Sequence, residues 1–334
     1  MAPFISIIIP NRNGEATIGL CLETAFASKY QSFEVIVVDD HSTDGSVGVI
    51  EEFPCKLVRL DRQSGVSAAR NAGAKQGRGD LLFFTDADCL LEEDALAVAA
   101  ETFLAHGAGV VIGGTYTKKP RDKDFFSYFQ SIFINYSESK KADSPDYLAA
   151  HAMIIAAETF HENQGFQENF LPVAEDVEFS HRLRRAGCRL LINPRILVRH
   201  VFGFSLYRSL RNAASKSKYW TVYSIGNRDI FADSGTASTE LKANVMFCLL
   251  CVVLLFLLII YNDPRYLYLV LLTIAANLLV SRGLLLAFYK EEGIGFAAAA
   301  AAYYLLLFPL AVGAGGFAGL IRYLAAGPHR WNSE

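Results

Sequence analysis

The sequence predicts an α/β domain with its sheet covered on both faces, followed by a helical region suited to a membrane. Three observations carry this reading. Short apolar runs alternate with helix-compatible windows from Phe4 to Gly114. Polar residues collect where the runs end. After Leu241 the chain becomes apolar over long stretches. Continuous apolar strands separated by helices imply a largely parallel sheet buried on both sides.

The first run, 4–9, stops at Pro10, and the second, 33–38, stops at Asp39-Asp40. The third covers 56–60. The fourth, 81–85, ends at Asp86, and the fifth, 109–112, ends at Gly113-Gly114. Helical windows lie between them at 16–27, 45–52, 65–76 and 92–104. Sheets of this kind bind ligands at the carboxyl ends of their strands. Asn11-Arg12-Asn13, Asp39-Asp40 and Asp86-Ala87-Asp88 all sit there. From Lys118 to Val201 the pattern is mixed. Residues 149–156 read as a strand and 175–186 as an amphipathic helix. Residues 189–192 and 196–201 read as short strands split by Asn193-Pro194.

The 334 residues suffice for two domains, or for one large domain and an appendage. A net charge of −3 provides no basic field for nucleic acid. The six cysteines show neither a disulfide framework nor a zinc spacing. Cys248 and Cys251 form a C-x-x-C, but inside an apolar run, and free thiols suit a reducing compartment. Met1-Ala2-Pro3 leads straight into an apolar strand with no charged n-region or cleavage site. The expected placement is a cytosolic N-terminal domain.

Residues 204–228 change character. Arg208, Arg211, Lys216, Lys218 and Arg228 occur there with no acidic residue, interleaved with Phe204, Tyr207, Tyr219, Trp220 and Tyr223. A basic, aromatic, helix-compatible segment before apolar spans reads as an interfacial helix on an anionic leaflet. Spans are expected near 243–261, 266–289 and 294–321, with Asn262-Asp263-Pro264 as a tight connection and Pro309 as a kink. Arg282 interrupts the second span, and an intramembrane cation is costly and often functional. Three crossings would put the C-terminus opposite the catalytic domain. Arg322 and Arg330 argue instead for the cytosolic side, which leaves one segment to be re-entrant or interfacial. The expected division is 1–203 catalytic, 204–240 interfacial helix and linker, and 241–334 membrane region.

Four groups of residues carry chemistry. Asp86 and Asp88, one residue apart at a strand end, can reach one divalent cation, and hard oxygen ligands suit magnesium or manganese. The run from Val37 to Ser46 is a strand-to-helix corner. Its Asp44 and Ser46 suit a helix cap, and a carboxylate there also suits a base N–H or a ribose hydroxyl. In Gly65-Val66-Ser67-Ala68-Ala69-Arg70-Asn71, small residues allow close helix packing and Arg70 offers a fixed cationic fork. Glu175-Asp176 open a helix, whose dipole stabilises carboxylates. The same pair also suits a general base that stays ionised.

In this order the groups resemble the family 2 glycosyltransferases. The matching residues are Pro10-Asn11-Arg12-Asn13, Asp39-Asp40 with Ser42 and Asp44, Gly65 to Asn71, Asp86-Ala87-Asp88, Gly165-Phe166, and Glu175-Asp176 with Arg182. The resemblance covers roughly Phe4 to His200. It implies a GT-A fold, which is a nucleotide-diphospho-sugar transferase domain with a Rossmann-like mixed sheet, followed here by helical transmembrane segments. It also implies roles. Pro10, Asn11 and Asn13 line the nucleotide pocket, Asp40 contacts the base with Arg70 nearby, and Asp86 faces the ribose. Asp88 holds Mg2+ or Mn2+, with His200 in reach of the metal or diphosphate. Asp176 is the base, with Glu175 beside it. His151 and Arg282 fall on the acceptor side, Arg282 toward a lipid phosphate. The implied enzyme is an inverting hexosyltransferase with a nucleotide-diphosphate sugar as donor (UDP being the family's usual nucleotide). Its acceptor is membrane-associated, a polyprenyl phosphate or a lipid-linked saccharide, and its setting a multi-pass cytoplasmic membrane protein with a cytosolic catalytic domain. The processive synthases of the family add Gln-x-x-Arg-Trp. Here Ser215-Lys216-Ser217-Lys218-Tyr219-Trp220 lacks the Gln and Arg, which favours transfer of one sugar per encounter.

Two other readings fit less well. A nucleotidyltransferase needs a basic, Gly-rich loop after the first strand, and Asn11-Arg12-Asn13-Gly14-Glu15 is short and weakly basic. A non-catalytic membrane scaffold has no use for Asp86, Asp88 and Asp176 together.

Overall fold

The computed structural model describes residues 2–171 and 173–326. The chain divides into two compact units. The first runs to Lys123 and resumes over Ser137–Gly203. The second comprises Asp124–Tyr136 and the chain from Phe204 onward.

The first unit is built on an eight-stranded sheet of order β3-β2-β1-β4-β7-β6-β8-β5. Strands β1 (Ile5–Asn11), β2 (Phe33–Asp39), β3 (Lys56–Arg59) and β4 (Leu81–Phe84) are parallel and nearly all apolar. Helices α1 (Ile18–Phe26), α2 (Ser46–Glu51), α3 (Val66–Gln76) and α4 (Ala95–His106) connect them or follow. The wall is a mixed sheet. β7 (Met153–Ala156) runs antiparallel to both β4 and β6 (Val110–Tyr116), and β5 (Cys89–Leu91) runs antiparallel to β8 (Arg189–His200). Pro10 is tolerated because the β1–β4 ladder ends at Ile8 and Phe84, before its missing N–H is needed.

Three expectations change here. Ala150–Ala152 form a 3-10 turn rather than part of a strand, and β7 starts at Met153. The two short strands around Asn193-Pro194 are one strand, β8. The extra residues of β8 bulge out opposite Gly114, where the register against β6 shifts between Gly113 and Thr115. At that bulge a Cβ on Gly114 would lie 2.5 Å from the Ile196 carbonyl oxygen. Lastly, β6 continues to Tyr116, four residues past its expected end.

Under the strand ends lies an aromatic core. Phe84 meets Phe160 at 5.1 Å and Phe166 at 5.2 Å, and Phe166 meets Phe179 at 4.7 Å. Phe160 belongs to α6 (Ala157–Glu162) and Phe179 to α7 (Glu175–Arg185). Burying such side chains contributes roughly 1.5–3 kcal/mol each, so α7 is seated firmly on the sheet.

The second unit is helical. It contains the part of α5 (Phe125–Ser139) through Tyr136, then α8 (Leu206–Asn227), α9 (Thr239–Tyr261), α10 (Arg265–Val280), α11 (Arg282–Ala302) and α12 (Phe308–Ala326). Ser205 and Ser238 cap α8 and α9 by accepting from the Arg208 and Leu241 N–H groups. A π-helical turn, Tyr303–Leu307, precedes Pro309 and accommodates its missing N–H. Phe129 packs with Phe288, Tyr303 and Phe308.

Among the described residues two helices are long and apolar enough to cross a membrane, Thr239–Tyr261 and Arg282–Ala325, the second broken at Gly293 (φ 78°). The helix at the expected second span, 266–289, ends earlier, at Val280, and Arg282 is the exposed first residue of α11 rather than an interruption within that helix. Arg330 lies outside the described residues.

Candidate active site

The carboxyl ends of β1, β2 and β4 bring Asn11, Asp39, Asp40 and Asp86 to one edge of the sheet. Several residues expected at a nucleotide prove to brace this edge. The buried Asn11 amide donates to Asp39 Oδ1 (3.0 Å) and to Ser46 Oγ (3.1 Å). Asn13, in the left-handed region (φ 49°), accepts from the Thr43 N–H at 2.8 Å. Asp40 accepts from the Ser64 and Gly65 N–H groups at 2.6 and 2.9 Å, which fixes the start of α3. Pro10 is partly exposed at the same edge.

Arg70 joins the two halves of the site. Its Nη1 donates to Glu175 and its Nη2 to Asp86, both at 2.8 Å, and its side chain is only 4% exposed. The guanidinium lies 5.4 Å from the Phe166 ring centre. Flanked by two carboxylates, it stays fully protonated. Its charge holds Asp86 below the ordinary carboxylate range against the opposing effect of burial.

The next residue, Asn71, sets the loop before α7. Its amide nitrogen donates to the Phe166 carbonyl (2.8 Å) and its Oδ1 accepts from the Phe166 N–H (2.9 Å). Arg182 donates to the carbonyls of Asn163 and Gly165. Gly165 has φ 60°, and a Cβ there would meet Asn71 Oδ1 and Phe160. The separated motifs Arg70-Asn71, Gly165-Phe166 and Arg182 thus form one bracket that delivers Glu175-Asp176. Asp176 accepts from the Ala150 N–H at 3.3 Å and from the Val177 N–H at 2.8 Å. Burial and the adjacent Glu175 push its carboxyl up to about 7.

The opposite side is the candidate metal centre. The register pairs His200 with Cys89, which sets the His200 imidazole 3.5 Å from Asp88 Oδ1. Asp88, Cys89 and His200 offer ligand atoms within 4.8 Å of one another. Cys89 does not suit a hard cation, because burial and the two aspartates raise its thiol well above the ordinary value. Desolvation and the Asp86 charge raise Asp88 to about 7. Two carboxylates that repel each other beside an imidazole fit a divalent cation, which would relieve the repulsion.

His151, in the turn before β7, is 93% buried and stacks on Tyr116 at 4.1 Å. Tyr116 in turn meets His200 edge-on at 5.1 Å, and His200 stacks on Phe202 at 4.1 Å. Tyr116, Phe202 and Glu138 are neighbours of the site that sequence reasoning missed. Tyr116 was legible as a continuation of the strand past Gly113-Gly114, whereas nothing in the sequence pointed to Glu138. Arg282 belongs to the second unit.

Residues 6–156 match the family model "Glycosyl transferase family 2", and 207–318 match "MMPL family". Glycosyltransferase AglE of Haloferax volcanii is 28% identical over 243 residues, 69% of this chain and 78% of that protein. Glycosyltransferase GlyA of Streptococcus pneumoniae is 23% identical over 227 residues, 65% of this chain but only 32% of that longer protein. Among solved structures, mannosyltransferase PcManGT from Pyrobaculum calidifontis, in complex with GDP-Man and Mn2+, superposes with a TM-score of 0.58 at 20% identity. That match covers 96% of this chain and 88% of the other. Together with the mixed sheet, these findings define a GT-A glycosyltransferase domain. The family match covers residues 6–156, somewhat under half of the chain, and together with the relatives it supports a glycosyltransferase of the family 2 type.

Proposed function

We propose that this enzyme is an inverting, metal-dependent glycosyltransferase. It moves one sugar from a nucleotide-diphosphate donor to a membrane-associated acceptor, a polyprenyl phosphate or a lipid-linked saccharide, in polysaccharide or glycolipid assembly. The observation that carries the reading is the Asp86–Arg70–Glu175 bridge, which joins the donor-side carboxylates and the α7 pair in one buried network. GDP-Man and Mn2+ in the PcManGT complex support a nucleotide-sugar donor and a divalent cation here.

Pro10, Asn11, Asn13 and Asp40 form the nucleotide wall, and Asp86 faces the ribose with Arg70 behind it. Asp88 and His200 hold Mg2+ or Mn2+, which when bound offsets charge on the departing diphosphate. Asp176 takes the proton from an acceptor hydroxyl. A carboxyl near 7 suits that task at neutral pH, because it is both partly ionised and basic enough to accept a proton. Glu175 keeps Arg70 in place. With Asp176 as base rather than nucleophile, the acceptor oxygen attacks the anomeric carbon from the face opposite the diphosphate and inverts it.

The membrane reading divides the chain into 1–203 catalytic, 204–240 interfacial and linker, and 241–334 membrane region. Helix α9, at about 1.5 Å per residue, is about 34 Å long and matches a hydrocarbon core of about 30 Å. With α10 it forms a hairpin whose Met246, Phe256, Ile259, Leu272 and Leu279 point outward. Such an apolar surface belongs in lipid. Helix α12 crosses only the base of α9. The Tyr304 carbonyl accepts from Asn244, and Gly313 sits beside Val245, so residues nine apart meet adjacent ones. Beyond that point α12 runs parallel to the basic α8. Ser217 donates to the Val312 carbonyl at 2.8 Å, a Cβ on Gly319 would strike the Lys218 carbonyl, and Arg322 lies over Tyr219. A helix packed along Ala214, Ser217, Lys218 and Tyr219 of the basic α8 lies with it in the interface on this reading, which supports two crossings rather than three. Arg282, exposed at the start of α11, is assigned on this reading to a lipid phosphate.

The test is a donor panel (UDP-glucose, UDP-N-acetylglucosamine and GDP-mannose with Mn2+ or Mg2+) in membranes containing this chain. One donor is consumed and its sugar appears in the lipid extract. If no donor is consumed faster than in membranes carrying Asp176→Asn, the reading fails.

A further inference from the structure

Glu138 is a carboxylate without a task in the mechanism above. It ends α5, is 7% exposed, and accepts from the fully buried Thr115 hydroxyl at 2.6 Å. A carboxylate this deep is costly unless it is compensated. It faces His151, whose Nε2 lies 3.6 Å from Glu138 Oε2. That is just beyond hydrogen-bond distance, and Nε2 makes no hydrogen bond. Tyr116 covers one face of the ring. Thr115 itself is fixed by the bulge at Gly114 that lets β8 bend across β6.

The placement of His151 gives the pair its meaning. The preceding residue, Ala150, donates its N–H to Asp176, the proposed base. The Tyr116–His200 contacts lead to Asp88. The imidazole is also close enough to lower both Asp86 and Asp88. His151 therefore stands between the residues that flank the departing diphosphate and the residue that meets the acceptor. On the donor reading given above, that gap is where the transferred sugar would lie, and no hydrogen bond within the protein engages the ring nitrogen turned away from Glu138.

We propose that Glu138, braced by Thr115, is a positioning residue that holds the His151 imidazole for a hydrogen bond to a hydroxyl of the transferred sugar. The inference rests on the donor-binding reading given above. Glu138 touches no substrate. It fixes the ring angle and favours the proton on the nitrogen it faces, which sets the hydrogen-bonding character of the other.

The test compares paired affinities on the full-length enzyme in detergent or nanodiscs. UDP and UDP-glucose, or GDP and GDP-mannose, are titrated with Mn2+ into wild type, Glu138→Gln, Thr115→Val and His151→Gln. Each variant is expected to bind the nucleoside diphosphate as wild type does. Each binds the nucleotide sugar more weakly, by about tenfold in the Glu138 and His151 variants, as one lost charge-assisted hydrogen bond implies. Equal loss for diphosphate and sugar donor overturns the proposal, because the pair then only supports the fold. Unchanged affinity for both also overturns it. If wild type binds none of the nucleotide sugars, the donor reading itself falls and this inference with it. Normal donor binding by wild type with equal losses in the variants overturns this inference alone.

Discussion

Replacing Arg70 with methionine removes the cation that joins Asp86 to Glu175 and keeps most of the side chain's bulk. Truncating one partner of a buried ion pair costs about 3–5 kcal/mol, because the remaining charge is left without compensation. Here the Glu175 side chain is 11% exposed and should cost nearly that much. Asp86, at 33%, is partly screened by solvent and adds less. The lost contact with Phe166 adds about 0.5–1 kcal/mol. A total of about 4 kcal/mol is a large share of an ordinary domain's 5–15 kcal/mol. At about 2–4 °C per kcal/mol for a domain of this size, the catalytic unit should melt about 10 °C lower. The assay is thermal unfolding of the full chain in nanodiscs at a fixed scan rate, with Arg199→Ala as control. Arg199 pairs with Glu92 at the surface, with side chains 45% and 38% exposed, so its loss should move the midpoint little. Arg70→Lys should fall between, since one ammonium cannot satisfy two carboxylates on opposite sides. If Arg70→Met melts within about 2 °C of wild type, the network is not what holds α7 against the sheet.

Other outcomes follow from the same geometry. Asp176→Asn should leave donor binding unchanged and lower transfer by about 100-fold or more, read in a single-turnover assay. In wild type, transfer should rise with pH through about 7, because the base works only when ionised and burial with the Glu175 charge holds its proton to that point. Glu175→Gln removes one of those two causes and should move the rise to lower pH. Asp88→Ala should abolish the Mn2+-dependent part of donor binding, measured by calorimetry with and without chelator. A reporter fused after the last residue should appear on the same side of the membrane as the N-terminal unit. Appearance on the opposite side would mean that α12 crosses the bilayer.

The left half of the sheet was legible because its physics is local. β1, β2 and β4 are largely apolar runs ending in a polar or proline residue, and burial on both faces requires that pattern, whereas β3, Lys-Leu-Val-Arg at the sheet edge, is only partly buried. The Glu175-Asp176 helix was legible for the complementary reason, amphipathic periodicity. What stayed hidden depends on partners far away in sequence. β5 is three residues directly after Asp88, too short for any period, and exists because His200 and its neighbours pair with it. Pro194 looked like a strand end, since nothing local announces that Gly114 would leave room for a bulge. Asn11 and Asp40 were read as nucleotide contacts from the family resemblance, and the sequence did not show that their hydrogen bonds also brace loops 28 and 24 residues away. The charge of Arg282 was visible, but its place relative to a helix break at Ser281 was not, because Ser281 carries no strong breaking signal.

Arg70 and Asn71 are consecutive on α3, and each pins one end of the same stretch of chain. Asn71 grips Phe166 and Arg70 grips Glu175. Between these clamps Gln167, Glu168 and Asn169 are exposed, Glu168 still accepts from the Asn71 amide at 3.0 Å, and Leu171 is buried. Lengthening such a closed loop is inexpensive, about 0.6 kcal/mol for each doubling. An insertion among these three exposed residues would therefore cost little, whereas Leu171 and the Glu168–Asn71 contact tie the rest of the stretch to α3 and the core.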